Sequence, residues 1–114
     1  MFISVNTTLA RRIGLYDAMV TSFLWDEVHD VADPSFLNED NLWIRASAPA
    51  LANRLPCLSV YQIRRVLRRL VERRILRREK RNPHPFDTTF SYKFTDVGIA
   101  LMESCGEGYE ERWL

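Results

Sequence analysis

Ser59-Val60-Tyr61-Gln62 is the segment that most narrows what this chain can become. It matches the S-x-x-Q capping box, in which each side chain satisfies a backbone donor of the other residue and a helix is forced to begin. Just upstream, Ser47 stands where an N-cap belongs and Pro49 falls in the first turn, where a missing N–H costs nothing. A short helix is therefore predicted over residues 48–55, stopping at Pro56. Only the turn Leu55-Pro56-Cys57-Leu58 separates the two. Helix, tight turn and capped second helix make a helix-turn-helix pattern.

Phased at about 100° per residue, the second helix carries Ile63, Leu67 and Leu70 on one line, flanked by Val60, Val66 and Val71. The opposite arc holds Tyr61, Gln62, Arg64, Arg65, Arg68 and Arg69. Ile75-Leu76 then opens a basic extended segment through Arg81. The turn NPHPFD at residues 82–87 has two prolines, so neither a helix nor a central strand passes through it. Phe90, Tyr92 and Phe94 alternate with Thr89, Ser91 and Lys93, a strand with one aromatic face. Thr95 or Asp96 caps a last helix over residues 97–105.

Towards the N-terminus, MFISV reads as an arm or edge strand, and Asn6, Thr7 and Thr8 are competent N-caps for the next segment. Leu15, Met19, Val20, Phe23, Leu24, Val28 and Val31 recur at the spacing of one amphipathic helix with a single buried face. Residues 33–41 read as a polar loop and Leu42-Trp43-Ile44 as a short strand. The tail GEGYEERWL is acidic and expected to be loosely held. The fold class expected is α+β, mostly helical: a winged helix-turn-helix, a helix bundle with a small antiparallel β-hairpin wing. One domain over residues 1–105 and an acidic tail over 106–114 complete the organisation, as 114 residues suffice for a single core.

Charge is distributed unevenly. The formal net charge of +1 averages two opposed regions. Residues 54–81 hold eleven basic side chains against two acids, Glu72 and Glu79, a local +9; the remainder carries −8. Self-repulsion on that scale opposes folding and is best explained by a polyanion that the cluster meets. Arginine dominates it, with a single lysine, and arginine's planar fork makes bidentate contacts to phosphate or to the O6/N7 edge of guanine. A merely solvated helix would intersperse glutamate at i, i+4, and here only Glu72 is available.

The run LPCLSVYQIRRVLRRLVERRIL resembles the turn and recognition helix of winged-helix domains in phage replisome organisers and replication-initiator-like proteins. Those domains show an aromatic-isoleucine strand, a short helix ending at L-P, then S-x-x-[TQ]-I-R-R-x-L-x-x-L. Asn41-Leu42-Trp43-Ile44 fits, as does Phe86-Asp87-Thr88-Thr89-Phe90-Ser91-Tyr92, which resembles a wing strand written D-R-T-x-W-Y with Thr88 at the arginine. YKFTDVGIAL is similar to the Y-x-L-T-x-x-G-x-x-L close of winged-helix regulators of the MarR and PadR type. The resemblance implies sequence-specific binding of double-stranded DNA, in replication initiation or transcription regulation.

In helix-turn-helix docking the second helix, residues 59–74, enters the major groove and its N-terminal residues reach base edges. Tyr61, Gln62 and Arg65 are then the candidate readers, Gln pairing adenine and Arg pairing guanine. Arg64, Arg68 and Arg69 are expected on phosphates. Ser47 and Ser59 are N-caps first and phosphate contacts second. Arg77, Arg78, Lys80, Arg81 and His84 of the wing, residues 75–95, would follow the backbone or enter the minor groove. Arg73 and Arg74 either join them or support the helix C-terminus through its dipole. Phe90, Tyr92 and Phe94 are assigned to the core in preference to base stacking.

Other classes find little support. Cys57 and Cys105 make no disulfide framework and suit a reducing cytoplasm. No uncharged run reaches the length of a membrane span. Arg11-Arg12 imitates a twin-arginine signal, but Asp17 interrupts the apolar region that should come after it. The four glycines form no phosphate loop, and His29-Asp30 lacks companions for a metal site. An enzyme is not expected, nor any cofactor or metal. The rival class is a protein-interaction module on the same scaffold, docking through its acidic surroundings. Met19, Trp25, Tyr109, Trp113 and Leu114 would then bind a replication or transcription protein, or pair two copies as a homodimer.

Overall fold

The structure, a computed structural model, describes residues 2–29, 43–45, 47–80, 84, 86, 89–106 and 109–113. It is an α+β fold, mostly helical. The elements run β1 (Phe2–Asn6), α1 (Thr7–Ile13), α2 (Leu15–His29), β2 (Ile44–Arg45), α3 (Ala48–Arg54), α4 (Val60–Glu72), β3 (Leu76–Glu79), β4 (Ser91–Phe94), α5 (Asp96–Cys105) and β5 (Tyr109–Trp113).

The amphipathic helix expected from Leu15 onward is α2, and a separate short helix, α1, precedes it. Asn6 caps α1, its Oδ1 accepting from the Leu9 amide at 3.1 Å. Gly14 ends it at φ +97°, a left-handed backbone that a side chain would oppose, and its N–H still closes on the Ala10 carbonyl. The single buried face expected of α2 is corrected. Asp17, Ala18, Met19, Val20, Thr21 and Ser22 are all buried, so this part of α2 is enclosed on every side. Trp25 packs edge-on against Phe94 at 5.1 Å, so Met19 and Trp25 belong to the core and not to an outer docking face.

α3 and α4 begin where their caps predict. Ser47 Oγ accepts from the Ala50 amide, with proline in the first turn. The Ser59–Gln62 capping box is reciprocal, at 3.1 Å and 2.8 Å. Ile63, Val66, Leu67 and Leu70 turn α4's apolar stripe onto α2 and α3. Full burial of such side chains is worth about 1.5–3 kcal/mol each.

Two small antiparallel sheets complete the fold. In the first, of order β2-β4-β3, Ile44 and Arg78 both stand opposite Tyr92, and Leu76 stands opposite Phe94. Tyr92 and Phe94 are buried and Phe90 half-buried, as the period-2 reading predicts. In the second, β1 pairs with β5, from Phe2 opposite Trp113 to Asn6 opposite Tyr109. The segment expected as a loose acidic tail thus contains a paired strand.

The joint after α4 is tight. The Arg74 and Ile75 amides close on the Val71 and Leu70 carbonyls, a Schellman pattern in which Arg74 takes the left-handed position at φ +62°. Thr95 locks α5 against it: its hydroxyl accepts from the Gly98 amide and donates to the Arg74 carbonyl. Gly98 is compulsory there, since a Cβ would lie 2.2 Å from the Ile75 carbonyl oxygen. The loop predicted over residues 33–41 and Leu42 lies outside the described residues, as do Arg81 and Leu114.

Candidate nucleic-acid interface

The ten described cations of residues 54–80 do not act as one surface. α4 directs Arg64, Arg65 and Arg68 outward, opposite its apolar stripe, and among the described residues no acid pairs with any of them. Arg65 lies 5.7 Å over the ring of Tyr61, itself 67% exposed. This guanidinium–aromatic pair stands in the first half of the helix.

Arg69, expected on phosphate, is tied inward instead. Its Nη2 meets Asp17 Oδ1 at 2.5 Å and its Nε meets both carboxylate oxygens at 3.1 and 3.2 Å. Asp17 is almost wholly buried, and its hydrogen bond raises the Arg69 guanidinium further above its ordinary pKa. Arg73 reinforces the same carboxylate from 3.8 Å and donates to the Ile13 carbonyl at 3.2 Å. Both arginines therefore pin α4 to α1 and α2. Arg54 leaves the cluster as well, reaching Glu27 at 3.6 Å and the ring of Phe23.

Strand alternation sorts the hairpin cations. Arg78 and Lys80 cover the ring of Phe90, at 4.5 and 5.5 Å. Arg77 points the other way, paired to Glu79 at 2.6 Å and lying over Trp43. His84 is exposed, and its Nδ1 accepts from the Phe86 amide at 3.2 Å.

Between α4 and the hairpin runs a groove of about 340 Å³, lined by Arg64, Arg68, Arg78, Ser47, Thr89, Phe90 and Tyr92. Burial pushes the Tyr92 phenol above its ordinary pKa, and Arg78 beside it opposes that rise. Three guanidinium groups, two hydroxyls and a neutral phenol thus surround one recess, and among the described residues no carboxylate lines it. Such a recess attracts an anion with several acceptor oxygens.

The capping box limits two predicted contacts. Gln62 Oε1 accepts from the Ser59 amide and Ser59 Oγ from the Gln62 amide, so an intact box turns the oxygen end of Gln62 towards the helix start and leaves its NH₂ group the freer end. A bidentate contact to adenine needs both ends of that amide. Sequence reasoning missed Asp17 as the partner of Arg69, although an acid inside an apolar helix was its visible signal. It also passed over Phe86, now the most exposed large apolar side chain described. Among the described residues, no group of three or more His, Cys, Asp or Glu side chains could hold a metal ion, and no helix is long and apolar enough to cross a membrane. No family model, curated protein or solved structure matches this chain.

Proposed function

We propose that this chain is a winged helix-turn-helix protein that binds double-stranded DNA sequence-specifically, in replication initiation or transcription regulation. One observation carries the reading: Arg64, Arg65 and Arg68 share the exposed arc of α4, Arg78 lines the same groove as Arg64 and Arg68, and no described acid pairs with these four or with Lys80. Cations that only solubilised the protein would be interspersed with carboxylates, as Arg54, Arg69 and Arg77 are elsewhere. α4 is the element to enter the major groove, which admits one helix. Tyr61 and Arg65, in its first half, face base edges. Arg64, Arg68 and Arg78 line the groove between helix and hairpin and take the phosphate backbone.

The test is duplex binding as a function of salt. Five phosphates neutralised give a log–log slope of about −4.5, hence a loss of several hundredfold in affinity between 50 and 200 mM salt. Arg65→Ala changes the preferred sequence in a selection from random duplexes, whereas Arg78→Ala weakens all sequences alike. Salt-independent affinity, or no binding at low salt, rejects the reading.

A further inference from the structure

Phe86 is 86% exposed, the most exposed large apolar side chain among the described residues. It lies in the connection between β3 and β4, which follows Arg78 and Lys80 in the chain. Its presentation is not casual. The Phe86 amide donates to His84 Nδ1, and its ring rests tilted on the imidazole with centroids 5.5 Å apart. An aromatic ring is thus offered to solvent by a local contact, in the same hairpin that carries Arg78 and Lys80 over Phe90.

A partner for this arrangement needs an anionic exterior and, directly beneath it, an apolar gap shaped to a flat ring. A nucleic-acid duplex has both, phosphates outside and stacked bases within. We propose that Phe86 is a wedge that inserts between base pairs at a deformable step when the protein binds duplex DNA, kinking it. This rests on the DNA-binding reading above. Side chains of this type unstack base steps in architectural proteins, and pyrimidine–purine steps yield most easily. Arg78 and Lys80 then meet the phosphates flanking the opened step, which a kink brings closer. An anionic lipid surface also joins charge to an apolar interior. However, stable attachment there takes an amphipathic face or a lipid chain, and among its described residues the hairpin exposes one large apolar side chain, Phe86.

The experiment uses the full chain and a short duplex with 2-aminopurine beside a central TA step and fluorophores at its ends. The wild type raises 2-aminopurine emission severalfold and shortens the end-to-end distance. Phe86→Ala abolishes both while keeping affinity within about threefold, since stacking gained and stacking lost nearly offset. Phe86→Leu retains part of each. Phe86 is 86% exposed and not a member of the core cluster, so these variants are expected to fold, and circular dichroism checks it. Binding by the wild type without a change in emission overturns the wedge alone, as does an undiminished rise with Phe86→Ala. Failure of the wild type to bind the duplex overturns the DNA reading and the wedge together. Wild-type binding to phosphatidylserine vesicles that Phe86→Ala loses, with duplex emission equal for both, assigns the ring to membranes instead.

Discussion

Replacing Asp17 by asparagine removes one charge from the interior and changes almost nothing in shape. Asp17 receives three hydrogen bonds from Arg69, at 2.5, 3.1 and 3.2 Å, and a second cation stands 3.8 Å away. Breaking a fully buried ion pair by removing one partner costs about 3–5 kcal/mol. Here the Arg69 side chain is 35% exposed, so water recovers part of that loss. Charge-assisted hydrogen bonds contribute about 1.5–3 kcal/mol, and asparagine keeps one acceptor. The expected destabilisation is about 2–3 kcal/mol, a fall of roughly 10 °C in Tm for a domain of this size. A double-mutant cycle with Arg69→Met isolates the pair and should return a coupling of at least about 1.5 kcal/mol. Urea denaturation followed by circular dichroism measures all four corners. Asp17→Asn within about 0.5 kcal/mol of wild type, with coupling near zero, would refute the assignment of Arg69 as a strut. A second readout is independent of stability. Releasing Arg69 adds a cation to the open face, and the salt slope of duplex binding steepens by about 0.9.

Gly98→Ala sets a Cβ against the Ile75 carbonyl, a backbone atom that cannot swing aside; a loss of about 3 kcal/mol or more is expected in chemical denaturation, and a neutral effect would contradict the packing of α5. Arg74→Gly relieves the left-handed φ at the end of α4 and should stabilise by about 0.5–1 kcal/mol, read as a higher Tm. Tyr92 has its pKa raised by burial, so above the unfolded value near 10 the folded chain holds the phenolic proton more tightly than the unfolded chain does. Stability therefore falls as pH rises from there through the folded value. Tyr92→Phe should flatten that alkaline decline in pH-dependent melting curves, and an identical decline would exclude Tyr92 as its source.

Legible in the sequence was the action of side chains on their own backbone. Ser47, Ser59 and Gln62 announce two helix starts because a cap acts within three residues, and the structure begins α3 and α4 there. The alternation of Phe90, Tyr92 and Phe94 was legible for the same reason. Partners distant in sequence were not. Asp17 and Arg69 are 52 residues apart, and nothing local marks one arginine of the face as turned inward. Arg77 and Arg78 are neighbours with opposite environments, which depend on where Trp43 and Phe90 arrive. The enclosure of α2 likewise comes from elements that pack around it, including the β1–β5 ribbon. Periodicity counts apolar residues and does not see Asp17, Thr21 and Ser22 buried among them.

The pairing of β1 with β5 bears on the order of assembly. Asn6 joins α1 to the far end of the chain: its Oδ1 caps the helix, and its Nδ2 donates to the carbonyl of Gly106, 100 residues away. Closing a flexible loop of that length costs about 4 kcal/mol of chain entropy, more than one hydrogen bond returns. The five-residue pairing of β1 with β5 offsets that cost only when it forms as a unit. Its pairing is therefore expected to follow the docking of α1, α2 and α5, and late amide protection of β1 in refolding would check it. α3, α4 and the adjoining hairpin involve far shorter loops and can condense first.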